Sequence, residues 1–161
     1  MLPLLHDLYA HQEWADAAHW GALRAHGPAL ADADLKGRLF HIHAVQQVWL
    51  ARWQGVPMPF PKVEDYPDLK DLYHFAKACH VALRTYLDRL GEADLARSLD
   101  YRNIAGEAFA QPLGELMLHL PMHSQYHRGQ SAMRMVQLGA HMPGTDLVTW
   151  MRNGRPAPDW A

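Results

Sequence analysis

Histidine is the residue type in this sequence with the most chemistry to offer. Twelve histidines stand against fifteen Lys plus Arg, and histidine is both the commonest metal ligand and the side chain that titrates near neutral pH. In the segment HLPMHSQYHRGQ, His119, His123 and His127 follow one another at four-residue intervals. That spacing places them on one helix face, one turn apart, so that two neighbours can share an ion. The outer two cannot: eight residues span ~12 Å of helix axis, whereas zinc takes nitrogen at roughly 2.0–2.1 Å. A third ligand must come from another helix, and the segment HIHAVQQVW offers His41 or His43. These are two residues, or about 200°, apart around a helix, so only one faces the core. Helical phase alone leaves that choice open. Three neutral imidazoles leave a divalent ion at least one open position, the arrangement of catalytic rather than structural zinc. Imidazole also suits nickel, copper and iron, and the expected ion is zinc or nickel.

Four long helices are predicted to position these side chains. The first starts at Pro3 and runs through Leu4, Leu5, Leu8, Tyr9, Trp14, Ala15, Ala18 and Leu23 to Gly27-Pro28. The second is capped by Asp32 or Asp34, presents Leu35, Leu39, Ile42, Val45, Val48, Trp49 and Trp53, and stops at Gly55. It carries His41 and His43. Residues 55–67 contain four prolines and read as an extended crossover. Asp68 caps a third helix, buried through Leu69, Leu72, Phe75, Ala76, Val81, Leu83 and Leu90 and ending at Gly91, with no obvious ligand pair. Residues 98–110, with Gly106 between segments bearing Tyr101, Ile104 and Phe109, are compatible with a small hairpin. The fourth helix begins at Pro112 and continues through Leu113, Leu116, Leu120, Met133 and Val136 to Gly139. A turn or two follows between Asp146 and Met151. This pattern predicts an all-α four-helix bundle. Pro121 lies inside the fourth helix and removes a backbone donor there. It either tilts the ligands towards His41 or splits the helix in two.

The bulk properties narrow the function. At 161 residues and 49% hydrophobic, the chain has the size of one domain, 1–161. A formal charge of -2 and a pI near 6.6 give no general basic field for nucleic acid or an anionic membrane. The single cysteine, Cys79, cannot form an intramolecular disulfide, which fits the cytoplasm. No run is long enough to span a bilayer.

The segments HIHAVQQVWLARWQG and HSQYHRGQ, followed by GTDLVTWMR, resemble the DinB family, whose relatives include the YfiT-like thiol transferases. The resemblance covers nearly the whole chain. It implies an up-down-down-up bundle with a long connection, which the Pro-rich 55–67 segment permits. It also implies that the metal is held by His41, His123 and His127, leaving His43 and His119 as neighbours, and that the protein is a homodimer. The thiol-transferase relatives imply that a low-molecular-weight thiol binds the open position, ionises, and attacks an electrophilic small molecule. One alternative is a hydrolase using metal-bound water. Another is a non-catalytic metal-binding protein of the stress response, its shell closed by a fourth ligand such as His43 or His119. No carboxylate lies within the HxxxH spacing, and Glu115 is two turns before His123, which disfavours a protease.

Other residues receive plainer readings. Cys79 is expected to pack in the core, as are Trp14, Trp49, Trp53 and Tyr73, while Tyr126, between two ligands, is a pocket candidate. Arg128 and Gln130 follow the last ligand and either orient ligands or bind substrate. Gly129 alternatively allows close helix packing, and Asp146 caps the last helix. His6, His11, His19, His26, His74, His80 and His141 receive no function.

Overall fold

The computed structural model describes residues 1–103 and 105–161. Ile104, assigned above to the hairpin region, lies outside the described residues. Among those described, the elements are α1 (Leu2–Arg24), a short α2 (Gly27–Leu30), α3 (Ala33–Gln54), α4 (Leu69–Leu87), β1 (Ser98–Arg102), β2 (Ala108–Pro112), α5 (Leu113–Gln137) and a short α6 (Leu147–Arg152). Single 3-10 turns occupy Val63–Asp65 and Glu92–Ala96. The chain is thus mostly helical, and among the described residues no helix is long and apolar enough to cross a membrane.

The predicted punctuation is visible in the structure. The Asp32 carboxylate accepts from the Leu35 amide at 2.8 Å, and Asp68 does the same for Asp71 at 2.8 Å, so each satisfies an otherwise unpaired first-turn donor. Gly55 ends α3 with φ +69, a left-handed conformation that favours glycine. The helix α4 ends at Leu87, short of the expected Gly91, because the chain turns at Asp88 and enters the 3-10 segment. The hairpin is antiparallel, with Ser98 opposite Pro112 and Tyr101 opposite Phe109. Pro112 ends β2 and leads directly into α5.

Each long helix packs against two others: α1 and α3 both contact α4 and α5. The apolar core between them falls into two clusters. One gathers Leu5, Tyr9, Trp49, Trp53, Leu83, Leu113 and Met117. The other gathers Trp20, Leu23, Leu35, Leu39, Leu72, Phe75 and Met135. Between them, each of the four helices contributes buried polar side chains at intermediate positions: Gln12 and Asp16 of α1, His43 and Gln46 of α3, His80 of α4, and Ser124 and Arg128 of α5. Several residues assigned to apolar faces are instead exposed, namely Leu4, Val81, Met133 and Val136. Val81 falls off the stripe that repeats through Leu72, Phe75, Cys79, Leu83 and Leu87. Met133 and Val136 join Met122 and Tyr126 on one outward face of α5.

Candidate metal centre

The imidazoles of His41 on α3 and of His123 and His127 on α5 come together where these two helices pack. One nitrogen from each lies within 4.8 Å of the other two. Ring centres are 4.4 Å apart for His41 and His127, 4.4 Å for His123 and His127, and 5.3 Å for His41 and His123. Around a tetrahedral ion with bonds of roughly 2.0–2.1 Å, ligand nitrogens sit about 3.3 Å apart.

The protonation chemistry suits a cation. Burial pushes His41 below its usual range, and the neighbouring His127 adds to the effect. Burial also pushes His123 down, to about 4, reinforced by His127 and His41. Both therefore present neutral rings with a lone pair at neutral pH. His127 places its Nδ1 3.0 Å from Gln130 Oε1, one turn further along. Since that oxygen only accepts, Nδ1 carries the proton and Nε2 keeps the lone pair a metal requires. The Nδ1 of His123 is buried with no hydrogen-bond partner among the described residues. A buried nitrogen without a partner is costly in protein alone, and three imidazoles around it form a donor set that fits a divalent ion. The side facing solvent opens into a cavity of about 410 Å³ lined by Ala33, Asp34, Gly37, Arg38, His41 and His127.

A second group of ligand-type residues, Asp16, His43 and His80, also lies within metal-binding reach of one another. Here the hydrogen bonds occupy much of the ligand capacity. Trp20 Nε1–H donates to His43 Nε2 at 3.0 Å, which requires a lone pair there and puts the proton on Nδ1. That proton is donated to Gln46 Oε1 at 2.9 Å. The Gln46 amide donates onward to Asp16 Oδ2 at 3.0 Å and to Ser124 Oγ at 3.3 Å. Asp16 also receives the Arg128 guanidinium on Oδ1 and His80 Nε2–H at 2.9 Å on Oδ2. Burial opposes ionisation of Asp16, but Arg128 and the His80 hydrogen bond overcome it and hold the carboxyl well below its usual range. Both nitrogens of His43 are thus engaged. The group can hold an ion only by giving up this network, whereas the His41, His123 and His127 cluster surrenders no such set of bonds.

The DinB family model matches residues 4–156. The chain belongs to the DinB family. It is also similar to the crystal structure of a DinB-like protein from Bacillus cereus, with 20% identity, a TM-score of 0.54, and coverage of 86% of this chain and 89% of that one. At this identity the likeness is one of fold. No curated protein matches the chain.

Within this family framework, the structure sorts the other residues singled out from the sequence. Of the α3 histidines, His43 faces the core at 1% exposure, while His41 is half-buried on the side facing α5. His119 stands 5.6 Å from His123 by ring centre but packs edge-on against Trp49 at 5.5 Å, outside the converging trio. The helix α5 stays continuous through Pro121, which removes the possibility of two separate pieces. Tyr126 is 66% exposed and absent from the lining of the cavity beside the histidines. Gly129 has nothing within 4 Å of where a Cβ would stand, so close helix packing does not explain it. Arg128 reaches inward to Asp16 and not towards the three imidazoles. Asp146 takes the capping position of α6 without a side-chain cap bond. Cys79 packs in the core, and burial pushes its thiol up to about 12.

Two of the histidines without an assigned role make structural hydrogen bonds. His11 donates to the Thr145 carbonyl at 2.8 Å, and His26 to the Leu138 carbonyl at 2.8 Å beside the end of α5. His80, which received no function from the sequence, is brought by α4 within ligand reach of Asp16 and His43. Sequence reading missed Asp16 and His80 because their partners lie 64 residues apart. The available signal was a carboxylate, Asp16, flanked by Ala15 and Ala17 in the buried stretch of α1.

Proposed function

We propose that the protein is a metal-dependent transferase in which His41, His123 and His127 hold one divalent ion, zinc or nickel, and a low-molecular-weight thiol is transferred to an electrophilic small molecule. The observation that carries this reading is the convergence of three imidazoles from two helices within 4.8 Å, beside an open cavity. Bound there, a divalent ion would supply Lewis acidity, lowering the pKa of a thiol that joins it. The chain's own residues do the remaining work. Gln130 fixes the tautomer of His127. Gly37 and Arg38 line the same cavity, the Arg38 guanidinium being engaged by Asp34 at 2.9 Å. A converging group of three donors supports a shell with an open position over a closed, non-catalytic one.

A second reading is hydrolysis by an activated water. Asp34 supports it, because this carboxylate lines the same cavity and can serve as a base. Its engagement by Arg38 is the reason transfer is preferred.

We also propose that the four long helices form the up-down-down-up bundle of the family, a reading supported by their pairwise contacts. A homodimer is supported by the exposed face of α5 carrying Met122, Tyr126, Met133 and Val136.

The test is elemental analysis of protein purified without added metal, followed by assays of metal-loaded protein with a panel of cellular thiols and a model electrophile. One equivalent of metal, lost in His123→Ala, together with thiol conjugation above the metal-free rate, is the expected result. Metal retained by His123→Ala would remove the site. Metal without conjugation, but with ester hydrolysis sensitive to Asp34→Asn, would replace transfer by hydrolysis.

A further inference from the structure

On the α1–α4 side of the molecule lies a pocket of about 380 Å³, closed on its third side by the segment that carries Trp150, Arg155 and Pro158. Tyr9, Leu83, Leu87 and Trp150 give it an apolar wall. This is within the size range of small-molecule sites. His80, 2% exposed, is the buried imidazole among its lining residues.

The orientation of His80 is fixed by its other nitrogen. Its Nε2 lies 2.9 Å from Asp16 Oδ2, and Asp16, bound to Arg128, is an ionised carboxylate that only accepts. Nε2 therefore carries the proton, and in the neutral ring the lone pair is on Nδ1. That atom has no hydrogen-bond partner among the described residues. Trp160, with its ring centre 5.6 Å from that of His80, donates to Glu13 at 3.3 Å and packs over the pair.

Charge selects the ligand. Arg84 is bound by Glu13, and Arg155 by both oxygens of Asp7 at 3.2 and 3.1 Å, so neither cation is free for an anion. Asp88, facing His6 at 3.9 Å, leaves the lining with one more carboxylate than guanidinium groups. The rim is also built with some strain: Arg155 has φ 57, a conformation uncommon outside glycine. Strained residues of this kind cluster at binding sites.

We propose that this pocket is a second small-molecule site, separate from the histidine trio, that takes a singly cationic molecule with an apolar body and one hydroxyl that donates to His80 Nδ1. Phenolic amines are the chemical class that meets all three requirements.

Tyramine, phenethylamine, which lacks the hydroxyl, and hydroxyphenylpropionate, which replaces the amine by a carboxylate, isolate these features. Binding is followed by ligand-observed NMR and by the imidazole nitrogen shifts of His80, in chelator-treated protein so that the metal site plays no part. Tyramine is expected to bind saturably and move the His80 Nδ1 resonance, with each of the other two at least about tenfold weaker, the loss that a missing hydrogen bond or a repelled charge produces. His80→Phe should abolish the preference for the hydroxyl. Since that variant also disturbs Asp16, Ala10→Trp, at an exposed lining position, blocks the pocket while leaving the Asp16–His80 bond in place. Undiminished tyramine binding in Ala10→Trp, equal affinity for phenethylamine, or no binding at millimolar concentration overturns the proposal. Survival of binding in His123→Ala separates this site from the metal centre.

Discussion

The hydroxyl of Tyr9 donates to the backbone carbonyl of Met117 across the α1–α5 interface at 3.0 Å, with both residues buried. In an uninterrupted helix that carbonyl would accept from residue 121, but residue 121 is proline and has no N–H. Tyr9 thus fills the bond that Pro121 leaves open, and the helix continues through the proline to deliver His123 and His127.

Removing that hydroxyl should be felt as a lost buried hydrogen bond. Tyr9→Phe is expected to destabilise the protein by about 1–2 kcal/mol. In a Pro121→Ala background, where the helix supplies its own donor, the same change should cost well under about 1 kcal/mol. Urea unfolding of the four proteins in this cycle measures the coupling, and equal costs in both backgrounds would show that the two residues act independently.

The Arg128–Asp16 pair lies almost fully inside the molecule, each side chain 3% exposed. Arg128→Met strands a carboxylate away from water, and a loss of about 3–5 kcal/mol is expected. Adding Asp16→Asn should recover part of it, because the stranded charge is then gone. Denaturant midpoints of the single and double variants decide this; a double variant less stable than Arg128→Met contradicts the account.

Gln130 touches the candidate centre only through His127. Gln130→Leu should therefore weaken metal binding by about 10–100-fold without changing the stoichiometry, the usual effect of removing a group that orients a ligand. His43→Asn, which alters the other histidine group, should leave stoichiometry and affinity close to wild type. Competition titration against a chromogenic chelator reads both.

Stability should fall with acidification before the carboxylates titrate. Burial lowers His19 from 6.5 to about 4 in the folded protein. The unfolded chain therefore takes up the proton first, so this stabilisation is complete above about pH 6.5 and is lost as pH falls towards 4. A shift of that size is worth about 3 kcal/mol at most. His43 moves in the same direction, to about 4, for the same reason. His19→Phe should flatten the dependence of the unfolding free energy between pH 7 and 5 relative to wild type. An unchanged slope would show that His19 is not the group responsible.

Much of this protein is local and was therefore legible in the sequence. Asp32, Gly55 and Asp68 act within one helical turn of themselves, so the helix limits followed from residue type. The i, i+4 relation of His123 and His127 is likewise a property of a single helix, as is the outward splay of His41 from His43. The apolar positions of α5 were less legible. Met133 and Val136 are hydrophobic, but what covers a helix face depends on its neighbours, and these two residues meet solvent.

Tertiary structure alone decided which polar residues became partners. Asp16 meets His80 and Arg128 across 64 and 112 positions of chain, and Tyr9 meets Met117 across 108. No periodicity encodes such distances, because helical repeat specifies which face a side chain occupies and not which helix that face will meet. The sequence by itself determined the helices and the faces on which their histidines lie. Packing of α1, α3, α4 and α5 determined that His41 joins His123 and His127, while His80 turns to the buried Asp16 carboxylate and His43 to Trp20 and Gln46.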